Sequence, residues 1–231
     1  MNFFYDSGIS ILLLILGFII CMFAQIKISY TYAKYKKIKG SIEKTGEDVA
    51  TEILKRNGLE DIQVNCIAGN LTDHYSPGRK EINLSEDVYS RISIASLAVA
   101  AHECGHVIQH ATGYLPLKMR TALVPAVSFS SNIVSWVLLA GVIFINIFPA
   151  LLWIGIALFA LTTLFSFITL PVEVNASSRA VAYLDNTGIA SYETRPMAQD
   201  ALKWAAYTYV IAALVSLATL VYYIMIGTSR R

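Results

Sequence analysis

Uncharged apolar stretches alternate with polar ones along this chain, and their lengths limit what each can be. Between Asp6 and Lys27 lie 20 residues without a charge, Ser7–Ile26. At about 1.5 Å of helical rise per residue they cover roughly 30 Å, one hydrocarbon core. Arg120 and Glu173 bracket a second gap of 52 residues, Thr121–Val172. At roughly 78 Å of helix this is too long for one span. Its natural break is Asn146-Ile147-Phe148-Pro149, a turn-forming patch. A third gap, Trp204–Ser229, is entered through Trp204, Tyr207 and Tyr209, aromatic residues suited to a membrane interface. The pattern predicts four transmembrane helices, at 7–26, 123–145, 150–171 and 204–227. A removable leader is the alternative for the first span, but Met1–Asp6 holds no Lys or Arg and no convincing small-x-small cleavage site follows. A retained anchor fits better.

The polar stretches carry shorter periods. Residues 27–40 mix tyrosines with lysines, as suits a basic helix end anchored among lipid headgroups. Residues 41–120 read as a small α+β domain. Thr45-Gly-Glu-Asp48 has the form of a capped helix start and Asn57-Gly58 of its stop, with Val49, Ile53 and Leu54 on one face. Ile62, Val64 and Cys66 alternate with polar neighbours and predict a strand, Cys66 facing inward. Arg79–Leu84 alternates again, and as a strand it could offer its edge to an extended peptide. Asp73, His74 and Tyr75 fall in a polar loop between the two strands. From Ser93 to Thr112 the spacing of Ile94, Leu97, Ala98, Ala101 and Ile108 predicts a long helix ended by Gly113. The fold class expected is a mainly α membrane protein with about four transmembrane helices and a small α+β domain.

Composition agrees: 55% of the 231 residues are hydrophobic, only 15% are charged, and mean hydropathy is +0.55. Soluble domains usually carry about 25% charged residues. A net charge of +2 is too balanced for a nucleic-acid binder. Three unpaired cysteines exclude a disulfide framework, and Cys104, about 200° around its helix from His102, is expected to be a packing residue. The positions of the basic residues predict orientation. Thirteen lie between spans one and two, and three more (Arg179, Arg195 and Lys203) between spans three and four; only Arg230 and Arg231 lie on the other side. The N-terminus is therefore expected outside, with 27–120 and 172–203 in the cytoplasm of a multi-pass cell-membrane protein.

The chemistry concentrates in His102-Glu103-Cys104-Gly105-His106. On a helix, His102 and His106 project from one face a turn apart and can hold one metal ion, while Glu103 can reach a metal-bound water without being a ligand. The plain alternative is two histidines satisfied on a helix face. Half of the chain's four histidines fall here with the glutamate in the slot a base requires, which favours the metal. A catalytic zinc site needs a third protein ligand and an open fourth position. His110 lies eight residues from His102, roughly 12 Å along the axis, too far to share the ion. Glu173, the first charge after the long gap, is the best candidate; an ordinary membrane-boundary charge is the alternative. Asn175 and Ser177 could orient an imidazole N–H or the carboxylate. His74 and Tyr75 are candidate donors to the oxyanion of a peptide-hydrolysis transition state, against a plain turn.

Asp73-His-Tyr-Ser-Pro77, Ile82-Asn-Leu-Ser85, Val99-Ala-Ala-His-Glu-Cys-Gly-His-Val-Ile-Gln109 and Pro171-Val-Glu-Val-Asn-Ala-Ser177 together resemble the bacterial membrane-bound neutral zinc metallopeptidases of the YugP type. The resemblance implies a zincin-like domain with a gluzincin-like site: one Zn²⁺ per chain on His102, His106 and Glu173, with Glu103 as general base on a zinc-bound water. An acidic residue is usual in that family where Asn175 and Ser76 stand here. The function expected is a zinc-dependent integral-membrane endopeptidase acting at the cytoplasmic face, with peptide or protein substrates, the lipid bilayer as surroundings and no nucleic-acid partner. A non-catalytic, metal-stabilised membrane scaffold is the alternative; it would close the site with a fourth ligand such as Asp185, Asp73 or His74.

Overall fold

The computed structural model describes residues 3–41 and 43–229, so Arg230 and Arg231, expected across the membrane, lie outside the described residues. The chain is mainly helical, and it divides into two compact units. One comprises Met1–Ala24, Lys118–Leu170 and Thr208–Arg231; the other comprises Gln25–Leu117 and Pro171–Tyr207.

The first unit takes parts of four long helices, α1 (Phe3–Tyr35), α5 (Leu115–Ile143), α6 (Pro149–Asn186) and α7 (Arg195–Ser229), whose remaining residues belong to the second. Each contains a window long and apolar enough to cross a membrane, with mean hydropathy between 1.5 and 2.3. Phe18, Phe129, Trp136 and Ile154 are exposed on their surfaces, an arrangement that lipid accommodates and water does not. Between helices, close packing and hydroxyl bonds replace the hydrophobic drive that lipid abolishes. A Cβ on Gly141 would lie 2.6 Å from the Leu152 Cα, so only a glycine admits α6 this near to α5. Ser130 donates to the Leu158 carbonyl at 2.8 Å, and Thr163 and Ser216 share a hydroxyl bond of 2.7 Å. Pro149 opens α6 at the position where its missing N–H costs nothing.

The second unit carries the polar residues. Its sheet has the order β1-β3-β2, with β1 (Gln63–Ile67) parallel and β2 (His74–Ser76) antiparallel to β3 (Glu81–Ser85). Helix α2 (Gly46–Arg56) starts on a capping box, Thr45 and Asp48 satisfying each other's backbone N–H. A short α3 (Glu86–Tyr89) leads to α4 (Ile94–Ala111), capped by Ser93. Val49, Ile53, Ile82, Leu84, Ile94, Leu97, Ala98 and Cys104 are buried together in one core. Leu184, Ile189, Ala198 and Leu202 join it from α6, α7 and the loop between them.

Three expectations need correcting. Residues 74–76 form an edge strand and not a loop; three residues are too few to show alternation. Strand β3 is central and paired on both sides, so its edge is not free over Glu81–Asn83. Cys66 is exposed, although Ile62 and Val64 of the same alternation pack against the core, because it lies near the end of an edge strand. Beyond the apolar run, α6 continues over residues 172–186, where Val172, Ala176, Ala180 and Leu184 form a buried stripe at four-residue spacing.

Candidate metal centre

Helix α4 presents His102 and His106 one turn apart, their rings edge to face with centroids 4.8 Å apart. Helix α6 brings Glu173 against them. Its Oε2 lies 3.3 Å from His102 Nε2 and 3.6 Å from His106 Nε2. Among the described residues, these three side chains form a group whose ligand atoms all lie within 4.8 Å of one another. A tetrahedral ion about 2.1 Å from each ligand spaces them about 3.4 Å apart, so the carboxylate and imidazole donors fit one zinc-sized cation. The chemistry of the set, two imidazoles and a carboxylate, is that of a zinc site.

The approach depends on small residues. A Cβ on Gly105 would meet the Ala176 carbonyl oxygen at 2.8 Å, so α4 and α6 touch backbone to backbone between the two histidines. Glu173 is 4% exposed and Glu103 is 7% exposed, so both carboxyls sit in a low-dielectric setting. Burial pushes the Glu103 carboxyl above the ordinary carboxylate range, against the pull of His102 and His106. Burial alone would lower the pKa of His106, but the carboxylates of Glu173 and Glu103 outweigh it and hold the ring above its ordinary value. The negative field that retains a proton there also attracts a metal cation. Burial likewise raises the Cys104 thiol, whose Sγ points to the Ala50 carbonyl, away from the histidines.

Around the donors, Ser177 Oγ lies 3.1 Å from His102 Nδ1. Asn175 is bonded to other residues: its Oδ1 accepts from Gln109 Nε2 at 3.0 Å and from Arg179 Nε at 2.8 Å. Gln109, which the sequence reading did not single out, is the residue beside His106, with Oε1 3.1 Å from Nδ1. Its signal was a lone amide one turn beyond the second histidine.

The remaining candidates have other partners. His74 Nδ1 donates to the Thr72 carbonyl at 2.8 Å, and its Nε2 accepts from Asn83. A neutral ring with that pairing has no N–H left for an oxyanion. The Tyr75 hydroxyl lies 3.4 Å from His110 Nδ1, which holds β2 against the α4 face that bears His106. Asp73 accepts from the Ser85 N–H at 2.7 Å, and Asp185 pairs with Arg195 at 3.2 Å. None of these three possible fourth ligands belongs to the donor group among the described residues.

The profile of a family described as "Putative neutral zinc metallopeptidase" matches residues 10–228. The chain belongs to this family. It is also 40% identical over 208 residues to "Putative membrane protease YugP" of Bacillus subtilis (strain 168), across 90% of this chain and 92% of that protein. No solved structure matches it. The family gives zinc as the cofactor, and His102, His106 and Glu173 form the cluster able to hold it.

Proposed function

We propose that this chain is a zinc-dependent integral-membrane endopeptidase hydrolysing peptide bonds at the cytoplasmic face of the cell membrane. The convergence of two imidazole nitrogens and one carboxylate oxygen, with a buried glutamate next to the first histidine, carries the reading. A zinc ion bound there supplies Lewis acidity, polarising a scissile carbonyl and making a water more acidic. His102, His106 and Glu173 would hold the ion, the three-donor protein set that suits a catalytic rather than a structural zinc. Glu103 takes the proton of the attacking water and later returns it to the departing amine; its burial favours keeping that proton between the two steps.

Tyr75 is the remaining oxyanion donor of the two considered, since the pairing of His74 leaves it no free N–H. The sheet edge beside α4 is β2, so an extended substrate pairs along the outer side of His74–Ser76 and not along β3. The distribution of basic residues supports a cytoplasmic site with both termini outside, and a reporter joined after Arg231 is expected to be active only outside the cell.

The deciding experiment is Glu103→Gln in the purified full chain. Proteolysis of an unfolded protein substrate should fall about 10²–10⁴-fold while zinc stays near one per chain. A fully active variant would end the assignment.

A further inference from the structure

Gln109 is completely buried on α4, three residues beyond His106. A buried primary amide has two hydrogens and an oxygen to satisfy, and here each has a partner. Nε2 donates to the Val172 carbonyl oxygen at 2.8 Å and to Asn175 Oδ1 at 3.0 Å, both on α6. Oε1 faces His106 Nδ1.

The two ends of an amide look alike in shape, but their neighbours here decide between them. A main-chain carbonyl can only accept, so the NH₂ end must point to Val172. Asn175 is fixed in the same way: Arg179 can only donate, so the oxygen of Asn175 faces both Arg179 and Gln109. The Gln109 oxygen is therefore committed to His106. In the neutral ring, Nδ1 must then carry the hydrogen, which leaves the lone pair on Nε2. That nitrogen is the one beside Glu173 Oε2.

We propose that Gln109 is a positioning residue for the metal, acting in two ways through one side chain. It sets the tautomer and rotation of His106. It also ties the backbone of Val172, immediately before Glu173, to the turn of α4 that bears His106. The three ligands come from two helices far apart in sequence, and this amide holds the halves in register. Donation runs outward from the ligand, His106 to Gln109 and Gln109 to Asn175, whose oxygen also accepts from Arg179. The proposal rests on the metal reading above.

The test measures zinc affinity of the full chain by chelator competition, beside the unfolding temperature of the zinc-free protein. Variants are Gln109→Met, Asn175→Leu and the double substitution. Gln109→Met should weaken zinc binding about 10–100-fold, the range for lost partners of a ligating histidine. Asn175→Leu should weaken it several-fold. The double variant should be no worse than Gln109→Met, because Asn175 acts through Gln109. If Gln109→Met binds zinc within twofold of the wild type while only its unfolding temperature falls, the residue is merely structural and the proposal is overturned. Multiplicative losses in the double variant would also overturn it. Should Gln109→Met not fold, Asn175→Leu decides alone, and unchanged zinc affinity refutes the chain. A wild-type protein that binds no zinc would instead bring down the metal reading itself.

Discussion

Gly105 and Ala176 meet backbone to backbone, with no room for a methyl group between them: a Cβ at 105 would stand 3.0 Å from the Ala176 Cα. This contact lies between the two histidines of α4 and one turn beyond Glu173 on α6, so it sets how near the carboxylate can come to the imidazoles. Gly105→Ala should force the helices apart, lowering stability by about 1–3 kcal/mol as overpacking does. Because a displacement of a few tenths of an ångström matters at a metal site, zinc affinity should fall as well. Unfolding temperature and zinc content of the purified variant check both, and a variant that retains both would show that the contact yields easily.

Glu173→Ala removes one of the three proposed protein donors. Structural zinc sites bind with roughly 10–16 kcal/mol over four ligands, so each ligand contributes about 3–4 kcal/mol, and its loss should weaken affinity about 10²–10³-fold. Metal analysis after dialysis against a weak chelator reads this directly. Retention of one zinc per chain would exclude Glu173 as a ligand.

Thr45 accepts the Asp48 N–H at 3.2 Å and donates its own N–H to the Asp48 carboxylate at 2.8 Å, closing the start of α2. Thr45→Ala should cost about 1 kcal/mol of stability, the usual value of such a cap. It contacts none of the proposed ligands, so turnover at a temperature well below unfolding should be unchanged. Chemical denaturation and a peptidase assay on the same preparation separate the two effects.

Acid should loosen the polar unit as its paired carboxyls are protonated. The Asp87 carboxyl is held below the ordinary range by Lys36 and Arg91, that of Glu52 by Lys44 and Arg56, and that of Asp48 by the Thr45 cap. A carboxyl with a depressed folded-state pKa adds stability above its unfolded value and loses it as pH falls through the folded value. Unfolding temperature should therefore decline from the ordinary carboxylate range downward. Asp87 and Glu52 are partly exposed and Arg56 and Arg91 more so, so the ion-paired share should be small and should shrink in high salt, while the Thr45–Asp48 share persists. A salt-insensitive decline would assign the effect to other groups.

The sequence by itself determined the elements with strong local signals. Long uncharged gaps favour apolar helices, so four of them could be read from the charges at Asp6, Lys27, Arg120, Glu173 and Lys203 together with the Asn146–Pro149 break. The capped start of α2, the two longer strands and the stripe of α4 follow from period and capping chemistry within a few residues. His102, Glu103 and His106 were legible because a helix places i and i+4 on one face whatever surrounds it.

Tertiary structure decided the rest, because those features depend on contacts between distant residues. Strand β2 has three residues and exists through its pairing with β3, and that pairing also makes β3 central. Glu173 joins the histidines only because Gly105 and Ala176 let two helices touch, some seventy residues apart in the chain. Gln109 gives no distinctive local signal; its partners Val172 and Asn175 lie 63 and 66 residues away. Local periodicity records which face of an element is apolar, whereas the partners of a buried polar group are fixed only when the helices dock.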